Sequence, residues 1–290
     1  MKDMMAEIRS EKPTISFEVF PPKKEAVFES VKGKAEQIAA LHPTFMSVTY
    51  GAGGGTSKFT IDIAEGIQKK YDVPAMAHLT CVSTPRAKIE EYVAEMQKRG
   101  LTHIMALRGD IPAEAPDKSE WGFAHASDLI SYVKEAAPEM TIGAACYPEC
   151  HPESVHVAED IANLKTKCDA GADFLTSQMF FDNNVFFTFL FKAREAGIDV
   201  PILPGIMPIT NAKQVIRARD LSHAFMPRRF MAIVDRFGED PDAMRKAGIA
   251  YATDQIIDLY ANGISHVHVY AMNDFGVASA IMENLKGIIA

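Results

Sequence analysis

The first place in this chain where chemistry could be done is a carboxylate set among β-formers. In Ile15-Ser16-Phe17-Glu18-Val19-Phe20 the apolar residues favour a strand, and Pro21-Pro22 end it by removing two N–H donors. Glu18 therefore lies near a strand's C-terminal end. Burial there favours the neutral carboxyl, which makes a glutamate a general acid near neutral pH. The competing reading is a buried ion pair between Glu18 and a Lys or Arg.

Polar residues recur wherever a β-like run ends: Thr49 and Tyr50, His78 and Thr80, Arg108-Gly109-Asp110, Tyr147 with Glu149 and His151, Gln178, and Asn273. The runs begin with ordinary residues such as Phe45, Ala75 and Thr141, so the polarity lies at one end. In Leu107-Arg108-Gly109-Asp110 the glycine lets the backbone approach a ligand, and its neighbours supply a cation and an anion, or else pair with each other. Asp160, Asn163 and Lys167, spaced i, i+3 and i+7, share one helix face. Such a stripe is either solvated or holds the ribose and phosphate parts of a nucleotide. No metal centre is expected. His78 and His151 are the only strand-end histidines, His266 and His268 sit early in their strand towards the opposite end, and Cys146 and Cys150 frame Tyr-Pro-Glu, which is no zinc spacing.

These positions need a scaffold that gathers strand ends. Strand-like runs at 15–20, 45–50, 75–80, 103–108, 141–147, 174–180, 202–207 and 266–271 alternate with helical spacing at 25–41, 58–71, 85–99, 126–137, 153–170, 183–196, 211–220 and 275–289. Eight βα units predict an α/β fold, a (βα)8 TIM barrel whose active site lies at the strand C-termini, with an extra helical segment, 227–261, between strands seven and eight. Gly100, Gly171, Gly197 and Gly263 are expected helix stops. No linker divides the chain, so residues 1–290 read as a single catalytic domain. An open doubly wound sheet is the alternative, but Gly51-Ala52-Gly53-Gly54-Gly55-Thr56 lacks the third fingerprint glycine and Lys58 is wrongly spaced for a P-loop, so this stretch reads as a βα turn.

At 290 residues and 48% hydrophobic content the chain reads as a soluble, enzyme-sized protein. Residues 1–12 lack a signal peptide's apolar core and no segment has the length of a membrane span, so a cytoplasmic location is expected. A formal charge of −8 argues against nucleic acid while leaving room for a local basic patch that holds a phosphate-bearing cofactor. The four cysteines are expected to be reduced thiols.

The ordered phrases Phe17-Glu18-Val19-Phe20-Pro21-Pro22, Ser47-Val48-Thr49-Tyr50-Gly51-Ala52, His78-Leu79-Thr80-Cys81, Leu107-Arg108-Gly109-Asp110, Tyr147-Pro148-Glu149 and Gln178-Met179-Phe180-Phe181-Asp182 resemble methylenetetrahydrofolate reductases nearly end to end. The resemblance implies a TIM barrel corresponding to that family's catalytic barrel alone, with FAD at the strand C-termini. It implies the reduction of 5,10-methylenetetrahydrofolate to 5-methyltetrahydrofolate by ping-pong hydride transfer from NADH or NADPH.

It further implies that Thr49, Tyr50, Ala52, His78, Arg108, Gly109, Asp110, Tyr147, His151, Asp160, Asn163 and Lys167 contact FAD. Asp110 and Gln178 would reach the folate pterin, and Glu18 would be the acid that assists ring opening and exposes a 5-iminium ion to hydride. Three positions depart from the family pattern: Ala212 where an aromatic often stacks on nicotinamide or folate, Asp274 where an Arg is common, and His125 where a Tyr is often found. They keep open an electron-donating protein subunit in a homo- or hetero-oligomer. The other readings are a flavin-holding electron-relay subunit and a non-flavin barrel lyase or hydrolase; no strand-end lysine is placed for a Schiff base.

Overall fold

The computed structural model describes residues 3–50, 57–111, 117–222 and 224–289. Its strands are β1 Thr14–Val19, β2 Met46–Val48, β3 Ala75–Thr80, β4 His103–Leu107, β5 Thr141–Cys146, β6 Phe174–Ser177, β7 Ile202–Leu203, β8 Gly205–Ile206 and β9 His266–Tyr270. The helices are α1 Met4–Ile8, α2 Phe28–Ala39, α3 Ser57–Tyr71, α4 Arg86–Lys98, α5 Ala126–Ala136, α6 Val157–Asp169, α7 Asn183–Glu195, α8 Ala212–Ser222, α9 Arg228–Phe237, α10 Pro241–Ala261 and α11 Phe275–Asn284. The sheet order is β7-β6-β5-β4-β3-β2-β1-β9-β8. Every neighbouring pair is parallel.

Because β7 and β8 are consecutive, the two ends of that order meet, and the expected TIM barrel is the observed fold. The expected seventh strand, 202–207, is two short pieces. Pro204 separates them and has no N–H for the ladder, although its carbonyl accepts from His268 N at 2.9 Å. The following Gly205 N donates to the Ser177 hydroxyl at 2.9 Å. Gly100, Gly171, Gly197 and Gly263 do follow helices with positive φ.

Two further differences have local causes. The helical stretch 227–261 divides into α9 and α10, because Asp240 caps a new N-terminus, accepting from Asp242 N and Ala243 N at 3.0 Å, and Pro241 suits the first turn of a helix. The charged N-terminus, where no element is expected from sequence, forms α1 behind an Asp3 cap and turns Met4 and Ile8 inward. They pack with Phe45, Met76, Met105, Phe174 and Leu203 to close the barrel's N-terminal end.

Alternation along the strands sorts the two faces. Ile15, Phe17 and Val19 join the layer between sheet and helices, leaving Thr14, Ser16 and Glu18 to face the barrel axis. The interior therefore begins as an apolar floor and becomes polar in its middle and at its C-terminal mouth.

Candidate active site

Glu18 reaches the mouth from the last turn of β1. Its strand end is held by Asn273, whose side-chain amide donates to Phe20 O and accepts from Phe20 N, each at 2.9 Å. The Glu18 side chain is 21% exposed, with His78 Nε2 at 3.7 Å and His268 Nε2 at 4.0 Å from Oε2. Ser47 is its register partner on β2. No Lys or Arg pairs with Glu18 among the described residues. Burial raises its pKa from 4.5 to about 8, against the smaller opposing pull of Ser47.

The facing imidazoles supply little charge. Burial pushes His78 down to about 3 and His268 well below its usual range, so both are neutral at pH 7. His78 Nε2 is buried and has no hydrogen-bond partner among the described residues, a cost that a bound ligand would relieve. His268, placed by its sequence position towards the wrong end of its strand, instead lies beside Glu18. The period-2 alternation of His266, His268 and Tyr270 was the sequence signal that all three line the interior.

A raised acid has a stability signature of fixed sign. The native state keeps a proton that the unfolded chain releases above 4.5, so this stabilisation is full below that pH and is lost as pH rises through about 8. Glu18→Gln should therefore be more stable than the parent at pH 9, by up to a few kcal/mol, and the gap should shrink on acidification. Melting curves at pH 5 and pH 9 check this; an equal gap at both would mean that Glu18 ionises normally.

The remaining predicted residues surround the mouth. Thr49 N donates to Val19 O at 3.0 Å, which seats it beside β1. Tyr50 packs edge-on against Tyr92 at 5.3 Å, and the Tyr92 hydroxyl donates to His78 O at 3.0 Å. Gly109, with φ of +86°, has no room for a Cβ, which would meet Thr80 at 2.9 Å. Arg108 does not pair with Asp110; it forms a bidentate pair with Glu153 at 2.5 and 2.6 Å, and Asp110 stays exposed. Tyr147 stacks edge-on with His151 at 4.6 Å, and burial pushes the phenol up to about 12.

The stripe on α6 divides. Lys167 turns in to donate to Ala145 O at 2.5 Å, with burial lowering its pKa, while Asp160 accepts from the Ser154 hydroxyl at 3.3 Å and Asn163 is exposed. Gln178 accepts from Met179 N at 2.9 Å through its own side chain. Ala52 lies outside the described residues. Most of the other predicted site residues lie at or just after strand C-terminal ends, whereas Asp160, Asn163 and Lys167 lie along α6.

The three departures have structural roles. His125 caps α5 in a reciprocal pair with Asp128. Ala212 faces the end of α9, where its Cβ would be 3.2 Å from a Cβ at Gly238. Asp274 caps α11 and holds Arg245 in a bidentate pair at 2.7 and 2.8 Å, a partnership between residues 29 apart that sequence could not reveal. This pair lines a cavity of about 400 Å³ with Thr210, Gln214 and Tyr270, adjoining the Glu18 site through Tyr270. Of the other strand-end polar residues, Glu149 accepts from Phe225 N at 2.7 Å and anchors the loop before α9. The four cysteines are free thiols, and among the described residues no helix is long and apolar enough to cross a membrane.

Comparison with known proteins adds a chemical context. The family model for methylenetetrahydrofolate reductase matches residues 3–286. The 5,10-methylenetetrahydrofolate reductase of Escherichia coli (strain K12) is 33% identical over 285 residues, 98% of this chain and 94% of that protein. Methylenetetrahydrofolate reductase (NADH) 1 of Arabidopsis thaliana is 35% identical over 283 residues, 93% of this chain, and the match spans only 48% of the plant protein. Among solved structures, a Clostridium thermocellum protein that binds two copies of 5-methyl-5,6,7,8-tetrahydrofolic acid aligns over 98% of both chains with a TM-score of 0.67 and 13% identity, a likeness of fold. With its barrel, its mouth residues and a family match across nearly its whole length, the chain belongs to the methylenetetrahydrofolate reductase family.

Proposed function

We propose that this protein is a single-domain, FAD-dependent oxidoreductase that reduces 5,10-methylenetetrahydrofolate to 5-methyltetrahydrofolate, taking electrons from a nicotinamide donor and binding donor and folate in turn at one site. The observation that carries the reading is Glu18, half-buried with no Lys or Arg partner among the described residues and raised to about 8, so that it carries a proton at neutral pH. Opening the methylene bridge requires that proton at the folate N10, which otherwise departs as a poor anionic leaving group.

FAD, when bound, supplies the hydride chemistry. The residues that would hold it fit the group: His78 offers an unpartnered buried nitrogen, and Arg108 and Lys167 provide cations suited to a pyrophosphate. Tyr50, Tyr147 and His151 would frame it with ring surfaces, and Thr49, Gly109, Asp160 and Asn163 would complete its contacts. Asp110 and Gln178 would orient the pterin. NADH is supported as donor by the name of the Arabidopsis relative.

The test is anaerobic. Purified protein should be yellow, bleach with NADH, and recover its colour with methylenetetrahydrofolate while 5-methyltetrahydrofolate forms. Colourless protein that binds no FAD would overturn the proposal. A narrower measurement concerns Asp110, whose carboxylate would disfavour extra negative charge on a nearby flavin. Asp110→Asn should raise the flavin reduction potential; an unchanged or lower value would place Asp110 away from the ring.

A further inference from the structure

Below Glu18 the barrel interior holds a continuous file of hydrogen-bonding side chains for which the reaction so far provides no task. Thr14 Oγ1 is 2.6 Å from His266 Nδ1, and His266 Nε2 is 2.9 Å from Ser16 Oγ. Ser16 Oγ is 2.7 Å from His268 Nδ1, and His268 Nε2 is 3.1 Å from Ser47 Oγ, which stands on β2 in register with Glu18 on β1. All five residues are buried on the adjacent strands β1, β2 and β9.

Two proton assignments, one the reverse of the other, satisfy every link. In the one that points at a Glu18 carboxylate, Thr14 donates to His266 Nδ1, His266 Nε2–H to Ser16, Ser16 to His268 Nδ1, His268 Nε2–H to Ser47, and Ser47 to Glu18. Both imidazoles are neutral, because burial depresses His266 to about 3 and His268 well below its usual range. Thr14 and Ser16 also have second acceptors, the carbonyls of Ser265 and Val267, each at 3.3 Å, so their hydroxyls can turn without losing a partner. The far end opens on Ser265 and Tyr260, both partly exposed, the latter donating to Thr14 O at 2.9 Å.

We infer that this file is a proton conduit, which refills Glu18 from the barrel's N-terminal end in the same step in which Glu18 gives its own proton to the folate beneath a covered mouth. The inference rests on Glu18 being the acid of the proposed reaction. A proton from water binds Thr14 Oγ1 as its own O–H proton passes to His266 Nδ1. His266 Nε2–H passes to Ser16, Ser16 O–H to His268 Nδ1, His268 Nε2–H to Ser47, and Ser47 O–H to the carboxylate. One proton enters, one carboxylate is neutralised and no electron moves. When the mouth reopens the shift reverses, the proton leaves at Thr14, and water at the mouth restores the Glu18 O–H. A polar layer in a barrel core that could have been apolar thereby gains a use.

The experiment uses the flavin-loaded enzyme and two cuts in the file, Thr14→Val and His266→Phe, with Thr14→Ser as the variant that keeps the hydroxyl. Single-turnover reoxidation by methylenetetrahydrofolate is followed in mixed H2O and D2O. The parent and Thr14→Ser should give a bowed dependence on deuterium fraction, several protons moving together. Both cuts should slow reoxidation by about tenfold or more and make the dependence linear, with reduction by NADH unchanged. Unslowed cuts, a linear parent, or Thr14→Ser as slow as Thr14→Val would overturn the conduit.

If the parent itself is not reoxidised by the folate, the proposed function fails, and the file is read separately by 15N NMR of His266 and His268. Above the titration of Glu18 both rings should carry hydrogen on Nε2 and should change together with it. Opposite tautomers would break the file and overturn the conduit whatever the enzyme reduces.

Discussion

Glu18→Gln is expected to divide the catalytic cycle in two. The amide keeps the shape of the carboxyl and a hydrogen bond with Ser47, but has no proton to give N10. Reduction of the bound flavin by NADH needs no proton on a folate nitrogen, so the variant should remain yellow and bleach at a near-parental rate. Reoxidation by methylenetetrahydrofolate should slow by about a hundred to ten thousandfold, the usual worth of a general acid. Stopped-flow absorbance separates the half-reactions. Equal slowing of both, or loss of the flavin, would make Glu18 a structural residue and leave the mouth without its acid.

The largest stability effect is expected far from the chemistry, at Phe174 in the barrel floor. Its ring is fully buried, meets Phe45 edge-on at 6.1 Å, and occupies space that exists because Gly143 has no side chain; a Cβ there would be 2.8 Å from the ring. Phe174→Ala removes the ring from a layer closed above by strands and below by α1. The loss should be about 3 to 5 kcal/mol, transfer energy plus a cavity the rigid wall cannot fill. Phe191→Ala, on a residue 64% exposed, should cost less than about 0.5 kcal/mol. Urea midpoints with unchanged slopes measure both. A small loss at Phe174 would show that α1 collapses into the gap.

What could be read from sequence followed from local rules. Period-2 runs of β-formers, glycine stops and helical spacing are properties of short stretches, and they were enough for a barrel of eight βα units and for Glu18 near a strand end. Hidden were features requiring distant partners. Arg245 and Asp274 meet through folding, and His268 belongs beside Glu18 because β9 pairs with β1 in a register no local pattern contains. Helix α1 has too few residues to announce itself, its stability coming from the floor it covers. Arg108-Gly109-Asp110 left open a ligand contact or an internal ion pair, and the cation in fact pairs with Glu153, 45 residues away.

The broken seventh strand bears on how the wall breathes. Its two pieces meet their neighbours over two residue pairs each, Leu175 with Ile202 and Thr176 with Leu203 on one side, Gly205 with His268 and Ile206 with Val269 on the other, whereas β1 and β9 share five. Across that seam the Tyr270 hydroxyl donates to Ser177 O at 2.6 Å, bridging from β9 to β6. Transient separation of a wall begins where the fewest bonds must break together. Water entering through this seam would pass between Gly205 and His268, which face each other in register there, and the tyrosine bridge is a bond that such an opening must break.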